Sequence, residues 1–167
     1  LLAEVQLARA QVFDNLGKHH EAAEAASAGM VAAEKGGDQR ALAKLRILYA
    51  ALVGDRQSRT REGRAWIDLA GVNIEALGGD RRLEARRQSH LGLIHAAAGD
   101  YQAELSAKAQ ALELLETSES PDPIELAGVH NNYSQSLGQH GRHDEALEHA
   151  QRALELWTES LGPHHPR

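Results

Sequence analysis

The stretch NNYSQSLGQHGRHDEALEHAQRALELW, Asn131 to Trp157, places a glycine break between two segments of helical periodicity. Alanines follow the break at three- and four-residue spacing, at Ala146, Ala150 and Ala153. Small side chains at that spacing share one face of a helix and permit close helix packing. The stretch therefore predicts two antiparallel helices, with Gly141 in the left-handed conformation that commonly ends a helix.

The same pattern returns along the chain with a spacing of 42 residues. The triplet Gly-Gly-Asp stands at 36–38 and again at 78–80, and Gly99 and Gly141 centre two similar turns, AAGDYQAEL and QHGRHDEAL. NLGKHHEAA from Asn15 supplies a further copy of that turn. Repeated helical units of this length predict an array of stacked helical hairpins.

Composition agrees with an all-α fold. Aromatic residues make up only 4% of the chain, whereas the helix formers Ala, Leu, Glu, Arg and Gln are abundant. Absence of cysteine excludes disulfides and thiolate metal sites. The longest apolar stretches, such as ILYAALVG at 47–54, fall short of the roughly 20 residues that cross a bilayer. We therefore expect a cytoplasmic protein without a membrane segment.

A helix start is also encoded before the last repeat. In SESPDPIELA, Asp122 is suited to cap a helix, Pro123 to occupy its first position, and Glu125 to complete a capping-box-like pattern. Charge is uneven around this point, because residues 36–99 carry 11 basic and 7 acidic side chains whereas residues 100–160 carry 3 and 12. Such polarity favours a charged partner or head-to-tail association.

The glycine turn followed by DEAL and spaced alanines resembles the tetratricopeptide repeat (TPR). The 42-residue spacing and the closing LGPHHPR are similar to the kinesin-light-chain type of that repeat. The resemblance covers the chain in four copies and implies a right-handed α-solenoid of about eight helices. The expected repeats are residues 3–38, 39–79, 80–120 and 122–160, with 161–167 as a linker to a following repeat of a larger, bacterial polypeptide.

Two copies depart from the repeat pattern. The second copy contains a longer apparent turn, GDRQSRTR, from Gly54. In the third copy Glu104 and Lys108 stand where the family has small residues, which leaves the register of that helix open.

In this family the first helix of each repeat lines a concave groove, and the resemblance thereby nominates contact residues. They are Arg82, Arg86, Ser89 and His90 in the third repeat, and Asn131, Asn132, Gln135 and Gln139 in the fourth. Amides can bind a peptide backbone, and paired arginines can bind carboxylate or phosphate. We expect a protein or peptide partner of acidic character. The alternative is that Arg82 and Arg86 only solvate the surface or pair with acids of neighbouring repeats.

The last helix carries a second candidate surface. Leu154, Trp157 and Leu161 lie where a following repeat would cover them. These residues are therefore candidates for contact with the next repeat or with a second chain in a homo-oligomer.

Searches for other chemistry find no catalytic motif and no cofactor-binding motif. The histidine groups at 19–20, 140–143 and 164–165 lack carboxylate or thiolate support, so we expect no metal site. Net charge of -6 and scarce aromatics also argue against a nucleic-acid partner.

Two functions remain open at this stage. The first is a non-enzymatic scaffold that binds a protein segment in the concave groove. The alternative is a regulatory or self-associating TPR segment of a larger bacterial signalling protein, such as a serine/threonine kinase or a transcriptional regulator.

Overall fold

The computed structural model describes residues 1–162, and within that range it contains eight α-helices and no strand. The helices are α1 (Leu2–Asn15), α2 (His19–Gly36), α3 (Gln39–Ala51), α4 (Thr60–Ala76), α5 (Arg81–Ala97), α6 (Tyr101–Glu116), α7 (Pro123–Gln139) and α8 (His143–Leu161). The all-α prediction is confirmed.

The helices pack as four consecutive hairpins. Each odd-numbered helix packs along the helix that follows it, and α2, α4 and α6 each pack on the first helix of the next hairpin. The hairpins therefore follow one another in chain order as an α-solenoid. Direct packing also joins α1 to α3 and α3 to α5, whereas the backbones of α5 and α7 approach each other less closely.

Local signals begin and end these helices where the sequence predicts. Asp122 caps α7 by accepting hydrogen bonds from the N–H groups of Ile124 and Glu125, with Pro123 in the first turn. Asp38, Asp80 and Asp100 cap three further helices in the same way. The turn glycines Gly99 and Gly141 have φ angles of 75° and 76°, the left-handed conformation that glycine adopts with little strain.

The second hairpin differs from the long turn expected after Gly54. Residues Leu52–Arg56 continue α3 as a π-helical segment that includes Gly54, and only a short loop precedes α4. A Cβ on Gly63 of α4 would lie 2.5 Å from the Cα of Gly54. Two facing glycines thus bring the π-segment and α4 into backbone contact, and this closeness allows the helix to continue.

The apolar residues form a row of small cores along the solenoid. One core joins α1, α2 and α3, a second joins α3 to α6, and a third joins α5, α6, α7 and α8. Trp66 packs against the first two cores and meets Tyr49 edge to face, with ring centroids 5.1 Å apart. No helix in the described part of the chain is long and apolar enough to span a membrane.

Candidate functional site

A cavity of about 230 Å³ opens between α5, α6 and α7, where the backbones of the first helices of two hairpins do not approach closely. Its apolar lining comes from Ala85, Leu93, Leu115, Gly128 and Val129. Its polar lining comes from Arg86, Ser89, His90, Lys108, Glu125 and Asn132. A few polar groups around an apolar interior are typical of binding sites.

A second hollow, of about 300 Å³, lies next to the cavity between α3 and α5. It is lined by Arg40, Lys44, Asp80, Arg82, Leu83 and Arg86. Arg86 lines both spaces and therefore stands between them. Four of these six side chains are cationic and one is acidic, so the hollow is suited to an anionic group.

Ion pairs already engage part of this positive charge. Arg82 Nη2 lies 2.9 Å from Asp122 Oδ2, and Arg82 Nε lies 2.5 Å from Glu125 Oε2 without a well-aligned hydrogen bond to that oxygen. Glu125 is the main cause that raises the pKa of Arg82. Arg86 is held less closely, with Nη2 3.6 Å from Glu125 Oε1. The alternative considered from the sequence was that these arginines only solvate the surface or pair with acids of neighbouring repeats. Such pairing describes Arg82 better than Arg86.

His90 presents an unsatisfied nitrogen in the cavity wall. Its side chain is partly exposed, but Nδ1 is buried and has no hydrogen-bond partner among the described residues. Burial, followed by the positive charges of Arg86 and Arg56, lowers the pKa of His90 to about 4, against a smaller opposing effect of Asp14. The imidazole is therefore neutral at pH 7, and a ligand can supply the missing hydrogen bond.

The cavity borders a buried polar network between α6 and α7. Lys108 Nζ donates to Glu104 Oε1 at 2.9 Å and also to Ser136 Oγ, and Ser136 Oγ donates to Glu104 Oε1. His140 Nε2 lies 3.2 Å from Glu104 Oε2. These bonds lower the pKa of Glu104 against the effect of its burial. The sequence left the register of α6 open. The structure defines it, because Glu104 and Lys108 both lie inside the α6–α7 contact.

Space for the lysine comes from a glycine on α5. A Cβ on Gly92 would lie 3.0 Å from Cγ of Lys108. Burial of a charged pair requires partners for both charges, and here Ser136 and His140 supply them. The absence of a side chain on Gly92 leaves room for the lysine.

The structure brings together part of the predicted groove set. Arg86, Ser89, His90 and Asn132 line the cavity, and Arg82 lines the hollow beside it. Asn131, Gln135 and Gln139 lie on α7 but line neither space. Lys44, Lys108 and Gly128 also line these spaces but were not among the predicted groove contacts. Of these three residues, only Lys44 could have been predicted from the sequence, because it stands 42 residues, one repeat, before Arg86.

The predicted outer surface on α8 has mixed exposure. Leu154 is exposed, whereas Trp157 and Leu161 are partly buried, with Trp157 packed against the third core. Within residues 1–162 no group of three or more histidine, cysteine, aspartate or glutamate side chains is arranged to hold a metal ion. His164, His165 and the rest of the predicted linker beyond Gly162 lie outside the described residues.

Part of the chain matches a known repeat family. Residues 125–167 match the family model of the Tetratricopeptide repeat. No curated protein sequence matches the chain. The solenoid is similar to the crystal structure of BtubC (BKLC) from P. vanneervenii, with a TM-score of 0.74 and 17% identity over 99% of this chain and 66% of that chain.

It is also similar to a Rap protein in complex with Competence and Sporulation Factor, with a TM-score of 0.83 and 16% identity over 94% of this chain and 43% of that chain. The chain thus spans less than two thirds of either relative. At these identities the likeness shows the fold, which is that of a TPR-like α-solenoid.

Proposed function

We propose that this chain is a non-enzymatic scaffold that binds an acidic segment of another protein along the groove formed by α3, α5 and α7. The observation that carries the proposal is the cavity between α5, α6 and α7, which adjoins the cationic hollow between α3 and α5. An apolar side chain of the bound segment fits the cavity, and an acidic neighbour fits the hollow. The Rap protein, a structural relative, is itself seen in complex with a factor.

The roles of individual residues follow from their surroundings. Arg86 and Lys44 supply positive charge, because Arg86 is held only by the looser 3.6 Å ion pair with Glu125 and Lys44 has no ion pair among the described residues. Asn132 offers its amide to the backbone of the segment, and neutral His90 offers the unsatisfied Nδ1. Asn131, Gln135 and Gln139 extend the predicted contacts along α7.

The proposal is tested by selecting a displayed library of random peptides on the chain and measuring the affinity of selected peptides by calorimetry. We expect acidic peptides whose affinity falls about tenfold or more in the double variant Arg86→Glu, Asn132→Ala. The control is Arg61→Glu on α4, which makes the same charge change away from both spaces. Circular dichroism should show unchanged helicity in all variants. Peptides that bind the double variant as tightly as the wild type would place the site elsewhere.

A second candidate function is the regulatory or self-associating segment of a larger bacterial signalling protein. An exposed apolar surface on α8 supports this candidate, because such surfaces commonly mark association sites. The kinesin-light-chain type of repeat and the cytoplasmic location remain predictions. Cell fractionation of the source organism tests the location, and the sequence flanking this segment tests the host protein.

A further inference from the structure

The two helices that form the cationic hollow each carry a pair of like charges. Arg40 and Lys44 stand four residues apart on α3, and Arg82 and Arg86 stand four residues apart on α5. Side chains at this spacing lie on one face of a helix, where like charges weaken it. Both pairs line the same hollow. A local conflict of this kind is typical of a binding site.

Acids of the fold hold the first arginine of each pair. Arg40 pairs with Asp80, and Arg82 pairs with Asp122 and Glu125. Asp80 and Asp122 are themselves fixed, because they cap the first turns of α5 and α7. Arg40 and Arg82 are therefore oriented before any ligand arrives, which reduces the entropy lost on binding.

The second cation of each pair lacks such a partner. Lys44 is only partly exposed, and its ammonium forms no ion pair and no hydrogen bond with any residue from 1 to 162. Arg86 has only Glu125, at 3.6 Å, and that carboxylate lies closer to Arg82. Positive charge that is withdrawn from water is disfavoured unless it is paired. An anion in the hollow would supply the partner for both side chains.

The cationic positions do not continue into the last hairpin. Forty-two residues after Arg82 and Arg86 stand Ile124 and Gly128 of α7. Ile124 is 47% exposed, and Gly128 lines the cavity. The α3 and α5 positions thus favour an anion, whereas the α7 positions favour an apolar group. A ligand that uses both needs the two kinds of group side by side, as a protein segment has and a free ion has not.

A phosphoryl group suits the hollow better than a carboxylate does. A carboxylate has two oxygens in one plane and matches a single guanidinium. A phosphorylated serine or threonine carries a charge of about −1.5 to −2 and three acceptor oxygens. Three oxygens can meet Lys44 from α3, Arg86 from α5 and one of the two oriented arginines together. Clusters of arginine are a recurrent means of binding phosphorylated motifs.

We propose that the hollow binds the phosphoryl group of a phosphorylated serine or threonine, in a segment whose neighbouring apolar side chain enters the cavity. The inference rests on the proposed function, since it names the modification that makes the bound segment acidic. Phosphorylation of the partner then switches binding on, and its removal releases the partner.

Three peptide libraries with random flanks and a fixed central phosphoserine, glutamate or serine test the proposal on the whole chain. Peptides captured from each library are resynthesised with all three central residues, and calorimetry measures their affinities. We expect the phosphoserine form to bind about tenfold or more tightly than the glutamate form, because it gains a further charge-assisted hydrogen bond. The serine form should bind more weakly still.

Lys44→Ala locates the phosphoryl group. It removes a cation without a partner, and so it should lower the affinity of the phosphoserine form about tenfold while changing that of the glutamate form less. The matched control is Lys35→Ala, which removes an exposed lysine of α2 outside both spaces and should bind as the wild type does. Circular dichroism should show wild-type helicity for both variants.

Each failure has a distinct meaning. Equal affinity for the phosphoserine and glutamate forms overturns the phosphoryl proposal and leaves the acidic-segment function intact, whereas no capture from any library overturns both. An unchanged phosphoserine affinity in Lys44→Ala overturns the hollow as the site. Inorganic phosphate that binds as tightly as the peptides, or phosphatidylcholine vesicles with phosphorylated phosphatidylinositol that alone bind, would overturn the protein segment as the source of the phosphoryl group.

Discussion

The contact between the first two hairpins and the contact between the last two differ in their chemistry. In the first, α2 presents alanines and Gly29, and a Cβ on Gly29 would lie 2.7 Å from Cδ2 of Leu45 on α3. In the second, α6 presents Glu104 and Lys108 at the equivalent positions. The α2–α3 contact is packed with small residues, whereas the α6–α7 contact contains a buried charged pair.

The neighbouring first helices differ accordingly. Helix α3 packs directly on α1, whereas the backbones of α5 and α7 approach each other less closely, and the candidate cavity lies beside the α6–α7 contact. A repeat array can therefore open a cavity by a local change of side chains without a change of fold. Four experiments test how far the two contacts differ, from the largest expected effect to the smallest.

Leu45→Ala should break the apolar contact. Leu45 is fully buried against α2, and truncation of a buried leucine costs about 3–4 kcal/mol through lost transfer free energy and the remaining cavity. Urea unfolding followed by circular dichroism measures the loss. Val72→Ala, at an exposed position on α4, should change stability by less than about 0.5 kcal/mol. A similar small loss for Leu45→Ala would show that the alanine contact contributes little.

Lys108→Ala should break the polar contact. It leaves the buried Glu104 carboxylate without its cation, which costs about 3 kcal/mol. The double variant Glu104→Ala, Lys108→Ala imitates Ala22 and Ala26 of α2 and should lose less than the single variant. Unfolding free energies of the two single variants and the double variant form a cycle that measures the coupling. Additive losses would mean that the two charges do not depend on one another.

The helices and turns of both contacts were open to prediction from sequence because their signals are local. Gly99 and Gly141 mark turns, and Asp122 with Pro123 marks a helix start, without reference to distant residues. The π-segment could not be predicted from the sequence, since it depends on the close approach of Gly54 and Gly63 from two helices.

The candidate site was only partly predictable for the same reason. The 42-residue period aligns Arg86 with Lys44 and so points to the cationic face. Lys108 looks like a surface charge in sequence, and its burial depends on Gly92 and Ser136, which lie far along the chain. Pairing of Arg82 across repeats also needs the fold, because Asp122 is 40 residues away.

Acid should weaken the second contact more than the first. Burial is the main cause that lowers the pKa values of His90 and His130 to about 4, with His149 and Arg152 adding to the effect at His130. The unfolded chain, with histidine pKa near 6.5, binds these protons first. The stabilisation is complete above pH 6.5 and is lost as pH falls toward 4, by at most about 1.4 kcal/mol per pH unit for each histidine.

Chemical unfolding between pH 7.5 and 5 measures this slope. His90→Gln and His130→Gln should each flatten it, because glutamine does not titrate. Hydrogen exchange should locate the weakening in α5 to α8, since both histidines lie there. An unchanged slope in both variants would assign the acid sensitivity to other groups.

Gly128→Ala gives the smallest expected change and separates the cavity from the stability of α7. A Cβ at this mid-helix position meets no atom within 4 Å, so alanine should raise the free energy of unfolding by about 0.5–1 kcal/mol through its helix propensity. Gly138→Ala, on the same helix but outside the cavity, should give a similar gain, since its Cβ makes only an ordinary 3.8 Å contact with Ala146.

Gly128→Leu then extends a side chain from the cavity wall into its interior. Peptides selected on the wild type should bind Gly138→Ala normally and Gly128→Ala nearly so, and should lose affinity only for Gly128→Leu. Calorimetry of one selected peptide against the three variants measures the difference. Equal binding to Gly128→Leu would show that the space beside the polar contact is a packing defect, and that the bound segment uses only the cationic face. Loss of binding without loss of stability would assign the cavity to recognition.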